Sequence, residues 1–464
     1  MTLTERQASF AADLAFSDLP EDVVDYAKRL LLDTAGIAVG AEPRAASSDS
    51  FFEGVRALDS GSGGTVLATG ESMGPEYAAL LNGAMAHSLD YDDTHRGSSL
   101  HPGAPVLPAA LAAAERVDAS GADLLAGVVA GYEVTIRLGM AVDPESHYGR
   151  GFHMTATCGT FGATAAAGSV LGLDADVIES AMGINGSQAA GSLQFLENGG
   201  WNKRAHPGFA AHRALVALSL AEAGFAAANE PLEGPRGFLR GYSDDPHPDL
   251  AVAGLGEEWE TTRTGIKPYP CCRYMHNALD QLLEIAESED VSPGEIESVD
   301  VLMPEAGVSL TGDPANTYPQ SLVDGQFSMP FGAGLALTRG SATVDDFIEE
   351  IEGGVSDDVR RVIDRTTVGS GGWVAEAFPG KWAVEVTVET ADGTYTRESD
   401  FARGEPENPM TWEEVVEKYE SLTEPVLGES SARHFRERIA DLERVSVAEL
   451  LEPVTGERAV TADD

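Results

Sequence analysis

The stretch ADLLAGVVAGYEVTIRL, residues 122–138, decides the fold class. Its apolar residues return every three to four positions and are interleaved with Ala and Gly. That is the pattern of a helix packed closely on its neighbours, whereas a half-buried strand alternates with period two. The same texture runs outward from about Glu21 to Phe225, with helical periods over Glu21–Gly40, Glu76–Ser88, Gly159–Leu171, Asp174–Met182 and Phe209–Ala223. No period-two alternation is sustained in this half, so it reads as an all-α domain.

After Gly265 the texture changes. Ser298–Met303 and Lys381–Thr390 are rich in β-forming residues, and Ala391-Asp392-Gly393 leads into a second strand, Thr394–Phe401, so that a hairpin is expected. Helices fit Met275–Ser288, Asp324–Thr338 and Ser356–Arg365, and the chain turns helical again from Thr411. At about 150 residues per domain, 464 residues suit two or three. The expected architecture is mainly α with a smaller α+β domain: an all-α helical domain over 1–265, with 405–464 packing back onto it, and an α+β lid over 266–404.

The chain carries 76 acidic and 30 basic residues, a net charge of -46, which speaks against nucleic acid as a partner. The acidic residues are spread along the chain rather than gathered in a tail, as on a surface adapted to concentrated salt, where repulsion is screened within about 3 Å. Lysine occurs only at Lys28, Lys203, Lys267, Lys381 and Lys418. The three cysteines, Cys158, Cys271 and Cys272, do not form a secreted disulfide framework, which points to a reducing cytoplasm. The N-terminus lacks the pattern of a leader, and no uninterrupted apolar run suggests a membrane span.

The densest polar island of the helical half is His87-Ser88-Leu89-Asp90-Tyr91-Asp92-Asp93-Thr94-His95, followed by His101-Pro102-Gly103. Pro102 suits the first position of a helix, which sets His101 at an N-terminal edge that favours anions. By itself the island also allows helix caps on a solvated loop or a divalent metal site. The metal ranks lower, because the i, i+4 histidine pair of a helical zinc motif is missing. A second cluster is Gly151-Phe152-His153-Met154-Thr155, where a lone histidine is more often a core residue than a catalyst. A third, Trp201-Asn202-Lys203-Arg204-Ala205-His206-Pro207-Gly208, again sets His-Pro-Gly before an apolar helix and crowds three basic side chains together. A fourth is Ile266-Lys267-Pro268-Tyr269-Pro270-Cys271-Cys272-Arg273-Tyr274-Met275-His276, held extended by its prolines. In so acidic a chain, local cations at Lys203 and Lys267 are explained either by surface carboxylates or by an anionic substrate.

Taken together, these residues resemble the MmgE/PrpD family. Asn82-Gly83-Ala84 leading into His87, the run from Asp90 to His95, and His101-Pro102-Gly103 are similar to its signature. Gly151-Phe152-His153, Lys203 with His206-Pro207-Gly208, Gly234 to Phe238, Lys267-Pro268-Tyr269-Pro270 and Gln326-Phe327-Ser328 follow in the family's order over nearly the whole chain. The resemblance implies a homodimer that needs no organic cofactor and no metal. It also implies a reaction of the kind run by 2-methylcitrate dehydratases, cis-aconitate decarboxylases or an iminodisuccinate epimerase. The pocket residues it implies are Asp90, Thr94, His101, His153, Lys203 and Lys267, with Cys272 and His276 near the lid hinge. Two departures touch the decarboxylases: Phe331 stands where they carry a tyrosine, and Cys272 where they carry a histidine.

The expectation is therefore a lyase for a small di- or tricarboxylate, 2-methylcitrate dehydratase-like first and decarboxylase- or epimerase-like second. A non-catalytic carboxylate-binding paralogue is the reading from another class. Lys203 and Lys267 would clamp carboxylates, His101 and His153 would move protons, Asp90 would orient a histidine, and Thr94, Cys272 and His276 would bind substrate. The charge pattern carries its own prediction. The thermal midpoint should rise as KCl goes from about 0.1 M to about 1 M, and a midpoint indifferent to salt would remove the salt-adapted reading.

Overall fold

The computed structural model describes residues 1–197, 199–289 and 291–456; the end of the expected tail, 457–464, lies outside them. The chain divides into two compact units. The first holds Met1–Ser88, Asp92–Gly265 and the chain from Thr411 on, and the second holds Leu89–Tyr91 and Ile266–Met410. The return to the first unit thus falls at Thr411 rather than 405, and three residues of the polar island group with the second unit. The whole is mainly α with a smaller α+β part.

In the first unit the stretch 122–138 lies in the helix Gly121–Val142. Ser120 and Asp123 cap each other at its start, and Asp143 ends it at a φ of 62° ahead of Pro144. By length and composition this helix could cross a membrane, but 94% of its most apolar window is buried among its neighbours, so it reads as a core helix. Two of its charges, Glu133 and Arg137, are fully buried and paired. Glu133 accepts from the backbone and hydroxyl of Thr261, while Arg137 donates to the carbonyls of Ala253, Gly254 and Glu258. The pair thereby ties the segment 253–261 to the core.

Helices here meet backbone to backbone. A Cβ on Gly162, in the helix Met154–Val170, would lie 1.6 Å from the Thr135 hydroxyl. A Cβ on Gly208 would lie 2.2 Å from the carbonyl of Leu80, and one on Gly83 2.8 Å from Gly208 Cα. The second contact presses the helix Pro75–Ala86 against Asn202–Glu222. His87 closes the first of these and His206 sits on the second. Only glycine permits such an approach.

The third cluster differs from expectation. Its helix begins at Asn202, so His206-Pro207 lies one turn inside it rather than ahead of it. Pro207 lacks the N–H that would bond the Lys203 carbonyl, which is tolerated this close to a helix start. The C-terminal helix Trp412–Leu427 lies on Glu21–Gly40, with Tyr419 against Gly36 and Leu422 against Gly40. Beneath it Lys418 Nζ is 2.5 Å from Asp33 Oδ1, both side chains being out of solvent.

The second unit is built on a four-stranded sheet in the order Thr366–Gly369, Ile296–Leu302, Val384–Thr390, Gly393–Ser399, the first pair parallel and the rest antiparallel. The hairpin turns at Ala391-Asp392, with Thr390 opposite Gly393. The parallel strand Thr366–Gly369 went unpredicted because it is too short for an alternation to register. The helix expected over Asp324–Thr338 is two, Leu322–Gln326 and Met329–Arg339, because Ser328 takes an extended conformation and caps the second by accepting from the Phe331 N–H. The amphipathic helix Arg273–Ser288 shares the core with the inner strands; Met275, Leu279, Leu282, Val299, Val386 and Phe331 belong to it.

The Lys418–Asp33 pair gives a stability test. Lys418→Met strands a buried carboxylate and should cost about 3–5 kcal/mol in chemical denaturation. Removing both charges, as Asp33→Leu with Lys418→Met, should return much of that loss; equal stability of wild type and the single variant would show the pair to be dispensable.

Candidate active site

Four histidines from three separate parts of the sequence meet inside the first unit. His87 closes the helix Pro75–Ala86, His101 precedes the helix Gly103–Val117, His153 occupies the N-cap of Met154–Val170, and His206 lies in Asn202–Glu222. The His87 ring stacks on His153 with centroids 5.5 Å apart and meets His101 edge-on at 4.9 Å. His153 Nδ1 lies 3.1 Å from His206 Nδ1. His87, His153 and His206 are buried, while the His101 side chain is 14% exposed. His101 is therefore the one an incoming molecule meets most readily.

Hydrogen-bond chemistry fixes the His101 tautomer. Its Nδ1 is 2.7 Å from the backbone carbonyl of Asp93, which can only accept, so Nδ1 carries the hydrogen and Nε2 keeps its lone pair in the neutral ring. Asp92 Oδ2 lies 3.5 Å from the same Nδ1 and Thr94 Oγ1 3.4 Å, and the His101 N–H donates to the Thr155 hydroxyl. Asp92 Oδ2 also receives His87 Nδ1 at 2.7 Å. The carboxylate between two imidazoles is thus Asp92, whereas Asp90, expected to orient a histidine, faces Lys267.

Asp93 holds the loop from below. Its carboxyl accepts from the Gly103 N–H at 3.1 Å and from the Tyr132 hydroxyl at 2.6 Å. A Cβ on Gly103 would strike Tyr132 Oη at 2.5 Å, so the closure requires glycine. Burial, with a smaller contribution from the negative charge of Asp92, pushes the Asp93 carboxyl up to about 8. Burial pulls His206 down to about 4 and holds His153 well below the ordinary imidazole range, with the nearby positive charge of Lys203 acting in the same direction on both. His153 is neutral at neutral pH, and Lys203, at the start of Asn202–Glu222, supplies the positive potential. Beside Ser88 and Arg204, the sequence neighbours of His87 and Lys203, opens a cavity of about 290 Å³ that is also lined by Ser47, Phe51, Trp201 and Phe209.

His87, Asp92 and His101 bring their ligand atoms within 4.8 Å of one another, a spacing a metal ion could use. Of the His101 nitrogens, Nδ1 is committed as a donor to the Asp93 carbonyl and has no lone pair to offer, so that a ligand bond from this ring would come from Nε2. His95 is structural, with Nδ1 on Ser98 and Nε2 on Glu260.

The remaining expected residues lie in the second unit. Lys267 Nζ donates to the Asp90 carbonyl at 2.8 Å and lies 3.3 Å from Asp90 Oδ1, and Asp90 adopts a φ of 52°. Cys272 caps Arg273–Ser288 and its N–H donates to the Gln326 carbonyl. His276 was expected to bind substrate, but it is fully buried with both ring nitrogens occupied. Nδ1 takes a hydrogen from Arg273, so Nε2 carries the proton and donates to the Cys271 carbonyl. Arg273 is held in turn by Glu405 at 2.7 Å. That network fixes the start of the helix. Phe331 lies in the apolar core against Phe347.

Residues 5–251 match the MmgE/PrpD N-terminal domain and residues 269–444 the MmgE/PrpD C-terminal domain. The chain belongs to the MmgE/PrpD family. It is 29% identical to a cis-aconitate decarboxylase of Aspergillus terreus over 97% of this chain and 95% of that protein. It is 28% identical to the cis-aconitate decarboxylase-like protein oryM of Aspergillus oryzae over 98% of each. It is also 26% identical to the cis-aconitate decarboxylase of Homo sapiens over 95% and 92% respectively. The pocket residues implied by the family resemblance include none of His87, Asp92, Asp93 and His206. The repeated His-Pro-Gly was the signal that His206 belongs with His101.

The raised Asp93 sets the sign of a pH test. A carboxyl higher in the folded chain than its ordinary value near 3.8 favours folding while protonated, and that contribution is lost as pH rises from about 4 through about 8. Asp93→Asn reproduces the donor and acceptor of the protonated group, so its thermal midpoint should fall less than the wild type's between pH 6 and pH 9. Parallel curves would show that Asp93 titrates normally.

Proposed function

We propose that this MmgE/PrpD chain is a lyase for a small tricarboxylate, working through negative charge that develops on a carbon next to a carboxylate. The observation that carries this reading is His101: its Nδ1 is pinned as donor and its Nε2 is left as a proton acceptor on the most accessible histidine of the cluster. Decarboxylation breaks a carbon–carbon bond, releases carbon dioxide and then requires a proton at the carbanion. Dehydration removes a proton from carbon and expels hydroxide, which a proton converts to water. Both need one imidazole that moves a proton at carbon, for which His101 is suited.

His153 acts as a neutral imidazole, polarising a substrate oxygen through a hydrogen bond rather than as a strong acid, because burial keeps it uncharged. Lys203 draws a substrate carboxylate to the positive end of its helix. The full-length relatives named cis-aconitate decarboxylases favour decarboxylation. Phe331, without the hydroxyl of the decarboxylase tyrosine, favours dehydration of a 2-methylcitrate-like acid.

The test incubates the protein in concentrated KCl with cis-aconitate, 2-methylcitrate and citrate in deuterated water and follows products by NMR. Loss of carbon dioxide from cis-aconitate identifies the first reaction, and an alkene from 2-methylcitrate the second. His101→Ala should lower kcat by about 10²- to 10⁴-fold. An absence of turnover and of deuterium exchange across the panel would remove the lyase reading.

A further inference from the structure

Among the described residues, Asp92 is the one fully buried carboxylate in contact with two of the clustered histidines, a place that its position in an acidic loop did not suggest. Oδ2 is 2.7 Å from His87 Nδ1 and 3.5 Å from His101 Nδ1. His87 is itself immobilised, at the end of a helix that glycine contacts press against its neighbour and between the rings of His101 and His153. The carboxylate therefore has a fixed strut on one side and the accessible imidazole on the other.

We infer that Asp92 is a positioning residue for His101: with the Asp93 carbonyl it holds the Nδ1–H inward, so that Nε2 faces outward as the proton acceptor, and its negative charge steadies the imidazolium formed when the proton arrives. The inference rests on the lyase reading for its kinetic consequences, though not for its structural ones. In the step itself one proton passes from substrate carbon to His101 Nε2, the ring becomes a cation, and the positive charge is shared with Asp92 across the Nδ1–H. Asp92 does not take the proton. The charged or titratable groups facing this pair are His87, Asp93, His153 and, through His153, His206 and Lys203. None of the others is a carboxylate except Asp93, which burial keeps neutral over most of the working range.

Two readouts test the inference, and one needs no turnover. In protein labelled with nitrogen-15 in its histidine rings, the His101 signals, identified by their loss in His101→Gln, should show a pyrrole-like Nδ1 and a pyridine-like Nε2 in the wild type. In Asp92→Asn, where the Asp93 carbonyl still takes the Nδ1–H, the same signals should show the ring gaining its second proton at lower pH than in the wild type. On the reaction found active, Asp92→Asn should lower kcat by about 10²-fold with KM little changed. In dehydration, where His101 takes the proton, it should also move the acid limb of the kcat profile to lower pH, since the imidazolium has lost its counter-charge; in decarboxylation, where the imidazolium gives the proton to carbon, the alkaline limb should move the same way. Asp92→Glu should restore the limb in part. A wild-type His101 protonated at Nε2, or an Asp92→Asn protein with wild-type ring titration and a wild-type limb, would overturn the inference. Should Asp92→Asn fail to fold, the readouts pass to His87→Gln, which removes the strut alone. There, smaller changes in the same directions support the inference and a wild-type ring titration with a wild-type limb overturns it. If no substrate turns over, the lyase reading fails, and the ring signals still decide the tautomer.

Discussion

The absence of side chains where the helices of the first unit cross is the constraint on which its site depends. At Gly83 against Gly208, and at Gly162 against Thr135, there is no room for a methyl group. Two helices that approach this closely bring the residues at their ends and flanks nearer than ordinary side-chain packing would. A cluster of four imidazoles is the result, and their mutual contacts at 4.9 to 5.5 Å between centroids follow from backbone geometry rather than from any attraction among the rings. The cost is desolvation. Imidazoles packed this way resist protonation, which is why His153 and His206 are held below their ordinary range.

The helical half, the β-rich segment and the hairpin were legible because each rests on a local signal: a period of three to four, a period of two, or an Asp-Gly turn. Boundaries set by single residues were not. The break at Ser328 and the helix start at Asn202 depend on one capping hydroxyl and on a proline tolerated one turn in. Among the candidate residues, His101 and His153 were named through the family resemblance, and Lys203 through that resemblance and the scarcity of lysine. Asp92 was not, because three carboxylates within four residues are equivalent in sequence and only the fold decides which faces the rings. Asp90 faces Lys267, Asp92 faces His87 and His101, and Asp93 turns beneath Gly103.

His276 was named through the family resemblance. The fold gives it a structural place as well: the position calls for a group that accepts from Arg273 and donates to a carbonyl at once, a demand that a neutral imidazole meets. Phe331 likewise sits in a core where a hydroxyl would need a partner.

Asp92 and Asp93 are neighbours in sequence yet differ in charge: one bears the negative charge that raises the other, and the other is held as an acid up to about pH 8. Within a chain whose formal charge is -46, the electrostatics beside His101 therefore reduce to near neighbours: the Asp92 carboxylate on one side, and on the other the remaining imidazoles with Lys203 beyond them.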